Sequence, residues 1–124
     1  MNILLVEDDR NFGRVLTDSL REHGFEVEHA ADGVEGVLKF IDGTFDFVML
    51  DIRMPKLDGI NALRIIKKLS PHVPAMTYSG NAGSGEMAES VKAGAIRCLT
   101  KPFEISRLVT ELQRYGSRGD RNTI

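Results

Sequence analysis

Two short runs of the chain, Ile3 to Val6 and Phe45 to Leu50, are apolar nearly throughout. Such runs suit strands buried on both faces of a parallel sheet, because a strand with one wet face would alternate apolar and polar residues. Glu26 to Ala30, Ala75 to Ser79 and Cys98 to Thr100 read as three further strands, the more polar Glu26 to Ala30 suiting an edge. Amphipathic stretches lie between them. Val15, Leu16, Ser19 and Leu20 share one helical face, as do Val34, Val37, Leu38 and Ile41, and again Leu63, Ile66 and Leu69. Gly24, then Asp32 before Gly33, then Ser70-Pro71 supply stop, start and stop signals. Two more helices are expected from about Gly85 to Ala93 and from about Ile105 to Tyr115.

This alternation predicts an α/β fold, a doubly wound five-stranded parallel sheet with helices on both faces and right-handed crossovers. A length of 124 residues allows one domain, and 42% hydrophobic residues suffice for its core. The domain is expected over 1–116. Residues 117–124, which show no periodicity, read as a flexible tail or the stub of a linker.

Charge and composition exclude several function classes. Sixteen basic against eighteen acidic side chains leave a net charge of −2, with no basic cluster of the kind that displaces counterions from a nucleic acid, so direct nucleic-acid binding is not expected. No segment approaches the roughly 18 apolar residues of a membrane span, and the apolar start lacks the basic flank and length of a signal peptide. The single cysteine, Cys98, has no internal partner, which fits a reducing, cytoplasmic location.

The chemistry gathers at the carboxyl ends of the expected strands, where ligands bind in open parallel sheets. Glu7, Asp8 and Asp9 follow the first strand and Asp51 ends the third, so adjacent strands would bring several carboxylates into one pocket. Like charges that close imply raised pKa values or a bound cation. Oxygen-only ligands favour a hard ion such as Mg2+, which keeps several waters and seeks phosphate oxygens. Ser79 at the end of the fourth strand and Lys101 after the fifth add a hydroxyl and an ammonium group, parts suited to phosphoryl transfer. Each has a plainer role available: Glu7 to Asp9 as cap and first-turn acids, Asp51 in a turn, Ser79 at a strand end, Lys101 as a surface charge. Their convergence on one sheet edge is what points to chemistry.

The segments Leu4-Leu5-Val6-Glu7-Asp8-Asp9, Val48-Met49-Leu50-Asp51-Ile52-Arg53-Met54-Pro55 with Asp58-Gly59, and Lys92-Ala93-Gly94-Ala95 leading to Thr100-Lys101-Pro102-Phe103 resemble the receiver domain of two-component response regulators, over residues 2 to about 115. The resemblance implies the flavodoxin-like strand order 2-1-3-4-5, an order for which a chemotaxis receiver is a standard example. It implies that Asp51 is the phosphoacceptor, forming an acyl phosphate with a phosphoryl group from a sensor histidine kinase or histidine phosphotransfer protein. It further implies Asp8 as a direct Mg2+ ligand, Glu7 acting through water, Asp51 and the backbone carbonyl of Arg53 completing the protein's share, Ser79 closing on the phosphoryl group, Lys101 pairing with it, and a cis Lys101-Pro102 bond. The output would be binding of a downstream protein or effector domain.

Three departures matter. Cys98 stands where many receivers carry an aromatic residue that turns inward on activation. Ile96-Arg97 replaces the acidic pair by which winged-helix regulators dimerise. Gly80, Gly83 and Gly85 make the segment before the fourth helix rich in glycine, a composition that lowers the cost of rearrangement. Gly80 and Gly85 have P-loop spacing, yet Glu86 and Met87 replace its lysine and hydroxyl, and the dinucleotide fingerprint is likewise absent. Two other functions compete with this one. An aspartate-nucleophile phosphatase needs a second acid two residues after the nucleophile, where Arg53 stands, so no enzyme is expected beyond self-phosphorylation and slow autodephosphorylation tuned by Arg53 and Asn81. A degenerate receiver that binds partners without phosphorylation would lack part of the set Glu7, Asp8, Asp51, Ser79 and Lys101, all of which are present.

Overall fold

The computed structural model describes residues 1–80 and 83–122, with side chains as far as Tyr115. Among these, five strands, β1 (Asn2–Val6), β2 (Glu26–Ala30), β3 (Phe47–Asp51), β4 (Ala75–Ser79) and β5 (Cys98–Thr100), alternate with five helices, α1 (Arg10–Glu22), α2 (Gly33–Asp42), α3 (Gly59–Leu69), α4 (Ser84–Lys92) and α5 (Ile105–Asn122). The strands form one parallel sheet in the order β2-β1-β3-β4-β5, as expected, with β2 at an edge.

Two cores follow from the period-two alternation of side chains along each strand. Ile3 and Leu5 of β1, Phe47 and Met49 of β3, and Met76 and Tyr78 of β4 pack with Leu16 and Leu20 of α1 and Leu108 and Leu112 of α5. Leu4, Val6, Val48, Leu50 and Ala75 pack on the opposite face with Ala62, Leu63 and Ile66 of α3. Covering both faces is what makes the central strands read as unbroken apolar runs.

Three helices start on an aspartate. Asp9 Oδ1 accepts the N–H groups of Asn11 and Phe12 at 3.0 and 3.1 Å, Asp32 Oδ1 that of Glu35 at 2.8 Å, and Asp58 Oδ1 that of Asn61 at 2.9 Å. Each satisfies donors that a helix start leaves orphaned, typically worth about 1 kcal/mol. The fourth, α4, begins after Gly83, which brings no side-chain cap.

Some boundaries and faces differ from expectation. β3 begins at Phe47 rather than Phe45, since the Asp46 carboxylate takes the Asn2 N–H at 2.8 Å and Phe45 stacks on Phe40 with centroids 6.1 Å apart. On α2, Val34, Leu38 and Ile41 are 45, 56 and 57% exposed, while Gly33 and Gly36 are buried, with Val37 and Phe40 packed beside the core. Gly36 lies against the Val6 side chain and Gly33 against the Leu57 main chain, so the helix sits too near its neighbours for larger residues. Val15 of α1 and Leu69 of α3 also face outward, with Gly13 and Thr17 taking the inner positions on α1. The helix expected to end at Tyr115 continues to Asn122. Once nucleated, a helix extends at low cost through Arg and Asp, and each glycine costs only about 1 kcal/mol. No helix among the described residues is long and apolar enough to cross a membrane.

Candidate functional site

The carboxyl ends of β1, β3 and β5 converge on one acidic cluster. Glu7, Asp8 and Asp51 each offer a carboxylate oxygen within 4.8 Å of the others, Glu7 and Asp51 being buried and Asp8 exposed. Lys101, just past β5, places Nζ 3.3 Å from Glu7 Oε1 and 3.5 Å from Asp51 Oδ2. The sequence-expected residues Glu7, Asp8, Asp51 and Lys101 thus share one site. Ser79 ends β4, fully buried, and its carbonyl accepts the Lys101 N–H at 2.8 Å. Arg53 donates its N–H to Asp51 Oδ1 at 3.1 Å, and its guanidinium pairs with Glu86 of α4 at 2.7 Å. The Lys101-Pro102 bond is cis. Asn81 lies outside the described residues.

Glu7 is held at every polar atom. Its N–H donates to the Ala30 carbonyl at 3.0 Å, its carbonyl meets His29 Nε2 at 2.8 Å, Oε2 accepts the Asp9 N–H at 3.0 Å, and Oε1 accepts the Tyr78 hydroxyl at 2.9 Å. Burial nonetheless holds its carboxyl above the usual range, with the Asp51 charge adding to this and the Asp9 N–H and Lys101 pulling it back. Asp8 is raised too, by partial desolvation and by facing Glu7. The cluster is therefore short of positive charge, even with Lys101 beside it.

Above the ordinary values of 4.5 for Glu7 and 3.8 for Asp8, and up to their raised values, the folded chain binds more protons than the unfolded one. These groups therefore subtract stability as pH rises through that window. Without metal, Glu7→Gln is expected to melt higher than wild type at pH 7. The gap should close as pH falls toward 4.5, the ordinary Glu7 value. Paired thermal melts at both pH values check this, and a gap that widens on acidification contradicts it.

Four contributors escaped the sequence reading. Tyr78 reads there only as core, although a tyrosine in a fully buried strand signals a hydroxyl that needs a partner. Phe12 carries no signal in the sequence, but its ring centroid lies 4.1 Å from Lys101 Nζ. His29 and Gly13 act as a pair, because a Cβ on Gly13 would overlap the His29 imidazole that reaches the Glu7 carbonyl. Gly13→Ala is expected to cost about 1–3 kcal/mol as the ring is displaced, read as a lower urea midpoint.

The donor set fits a hard divalent cation, since three carboxylates gather with no nitrogen or sulfur ligand in the group. A family model described as the response regulator receiver domain matches residues 3–113. The chain belongs to that family. This receiver is 36% identical over 110 residues to the uncharacterized transcriptional regulatory protein YcbL of Bacillus subtilis, covering 89% of this chain and 48% of that protein. It is 33% identical to the transcriptional regulatory protein ZraR of Salmonella typhimurium, covering 92% of this chain and 26% of that protein. The receiver therefore spans about half the length of the first relative, or less in the second. Among solved structures, a CheY-like receiver domain protein from Methanospirillum hungatei superposes with a TM-score of 0.92 at 27% identity, covering 98% of this chain and 97% of that one. A CheX-CheY-BeF3-Mg+2 complex from Borrelia burgdorferi gives 0.85 at 28% identity, covering 92% and 87%. The chain is a receiver domain of the two-component response regulators.

Proposed function

We propose that this receiver is a switch in which Asp51 accepts a phosphoryl group from a phosphohistidine of a sensor kinase or phosphotransfer protein. The observation that carries the reading is the meeting of Asp51 with Glu7 and Asp8 within 4.8 Å and with Lys101 at 3.5 Å. In the step itself an Asp51 carboxylate oxygen attacks phosphorus, an O–P bond forms as the N–P bond breaks, and the imidazole leaves with the bonding pair and takes up a proton. The Arg53 N–H holds one carboxylate oxygen of Asp51 at 3.1 Å. Mg2+ held by Asp8, Asp51 and the Arg53 carbonyl, with Glu7 reaching it through water, would neutralise charge on the phosphoryl oxygens. Lys101 and the Ser79 hydroxyl then meet the added anion. A solved relative crystallised with BeF3 and Mg+2 supports the cation assignment.

The output is protein binding, to a separate partner or to an effector domain, and the names of the relatives as transcriptional regulatory proteins favour the latter. Closure of Ser79 on the phosphoryl group moves α4. Gly83 gives that helix no side-chain cap, and the Arg53–Glu86 pair at 2.7 Å ties its first turn to the loop after Asp51. Amide exchange over residues 80–90 is therefore expected to slow with Mg2+ and an acyl-phosphate mimic; unchanged exchange there sinks the α4 readout.

Intact mass after incubation with Mg2+ and acetyl phosphate tests the switch. One added phosphoryl group, absent in Asp51→Asn, is expected. No gain points to a phosphorylation-independent binding module, and steady phosphate release from varied substrates points to a phosphatase.

A further inference from the structure

Tyr78 occupies the middle of the site without belonging to the acidic set. It is 0% exposed, and the rest of β4 is buried with it. A phenol so placed costs stability unless its hydroxyl is bonded, and phenylalanine would fill the same space without that demand. The hydroxyl is bonded to Glu7 Oε1 at 2.9 Å, a contact that runs from β4 across β3 to the end of β1. Burial, followed by the neighbouring Glu7 charge, pushes the Tyr78 phenol well up, so it stays a donor.

The same residue touches the other parts of the site. Tyr78 pairs in register with Asp51, and its carbonyl accepts the N–H of Ile52, the residue after the phosphoacceptor, at 2.9 Å. Its ring centroid lies 5.1 Å from Lys101 Nζ, which is also 4.1 Å from the Phe12 ring, and the Phe103 ring centroid stands 5.7 Å from that of Tyr78. An ammonium group over aromatic faces is held by their quadrupoles.

We propose that Tyr78 is a positioning residue of the phosphoryl-transfer site: its hydroxyl pins Glu7 so that the acidic cluster stays gathered for a divalent cation, and its ring with Phe12 shelves Lys101 between Glu7 and Asp51. This rests on the proposed function above. Glu7 Oε1 receives both the Tyr78 hydroxyl and Lys101, at 2.9 and 3.3 Å. Deleting the hydroxyl therefore leaves Lys101 as the one side-chain donor to that oxygen among the described residues, and a flexible ammonium group fixes direction poorly.

Tyr78→Phe removes one oxygen and keeps the ring in the core. Calorimetric titration is expected to show Mg2+ binding weakened about tenfold, the usual effect of removing a partner of a metal-site carboxylate. The deficit in phosphorylation by acetyl phosphate should be largest at limiting Mg2+ and shrink as Mg2+ is raised, a split that a loss of folded protein does not produce. A second measurement keeps Tyr78 in place: with Tyr115→Phe, Tyr78 is the sole tyrosine of the two in the chain. Its emission should then change along the calorimetric Mg2+ curve. Equal Mg2+ affinities in wild type and Tyr78→Phe overturn the inference, as does a Tyr78 signal blind to Mg2+, while phosphorylation of Asp51 in wild type leaves the proposed function standing. A wild type that neither binds Mg2+ nor gains a phosphoryl group overturns both.

Discussion

Gly59→Ala is expected to lose about 3 kcal/mol of folding stability, a large share of the roughly 5–15 kcal/mol that holds a domain together. The reason is a close approach of main chain to main chain. A Cβ on Gly59 would overlap the Asp51 carbonyl oxygen, with the Asp51 carbonyl carbon at 2.8 Å and Ile52 Cα at 2.9 Å. Backbone at the end of a central strand cannot step aside as a flexible side chain can. The N–H of Gly59 also donates to the Ile52 carbonyl at 2.8 Å, so α3 begins directly on the segment that carries Asp51. Urea unfolding should show a lower midpoint at unchanged slope, and a loss under about 1 kcal/mol would mean that this approach is softer than it looks.

Lys101→Met is expected to cost the metal-free protein about 2 kcal/mol at pH 7, less than the full penalty for breaking a buried pair because the lysine side chain is 24% exposed. Methionine keeps the packing on Phe12 and Tyr78 and removes the charge, leaving Glu7 and Asp51 to face each other with no ammonium between them. Glu7 already sits above its ordinary value, and losing Lys101 raises it further. As pH falls through that raised value the folded protein takes up the proton, the need for a cation disappears, and the loss should shrink. Melts across the range from pH 7 down to about 5 would show it. A penalty that stays constant with pH would assign the effect to packing of the lysine stem instead.

The fold was legible because the central strands are buried on both faces. Leu4, Leu5 and Val6 write that fact as an unbroken run, and Asp9 and Asp32 mark helix starts that they cap. The inner face of α2 was not legible, since Gly33 and Gly36 form it and hydrophobic periodicity credits the exposed Val34, Leu38 and Ile41 instead. The site divides in the same way. Glu7, Asp8, Asp51 and Lys101 announce themselves by charge at strand ends, where the topology brings them together, and Ser79 announces itself by its hydroxyl at the end of β4. Tyr78, Phe12, His29 and Gly13 do not, because each is ordinary by type and acts only through a contact made across elements. Cys98, at the position where the resemblance places an aromatic residue, is half-buried, and its Sγ lies 3.9 Å from the Leu99 carbonyl. Phe12, Tyr78 and Phe103 form an aromatic cluster beside Lys101.

The carboxylate that carries the phosphoryl group can be marked chemically. Borohydride reduces an acyl phosphate to an alcohol, so treating the protein after acetyl phosphate and Mg2+, then mapping its peptides by mass, marks the modified residue permanently. Reduction at Asp51 alone, abolished when Mg2+ is withheld, is the expected result. A mark on Asp8 or Glu7, or a mark on Asp51 that forms equally well without Mg2+, would contradict it.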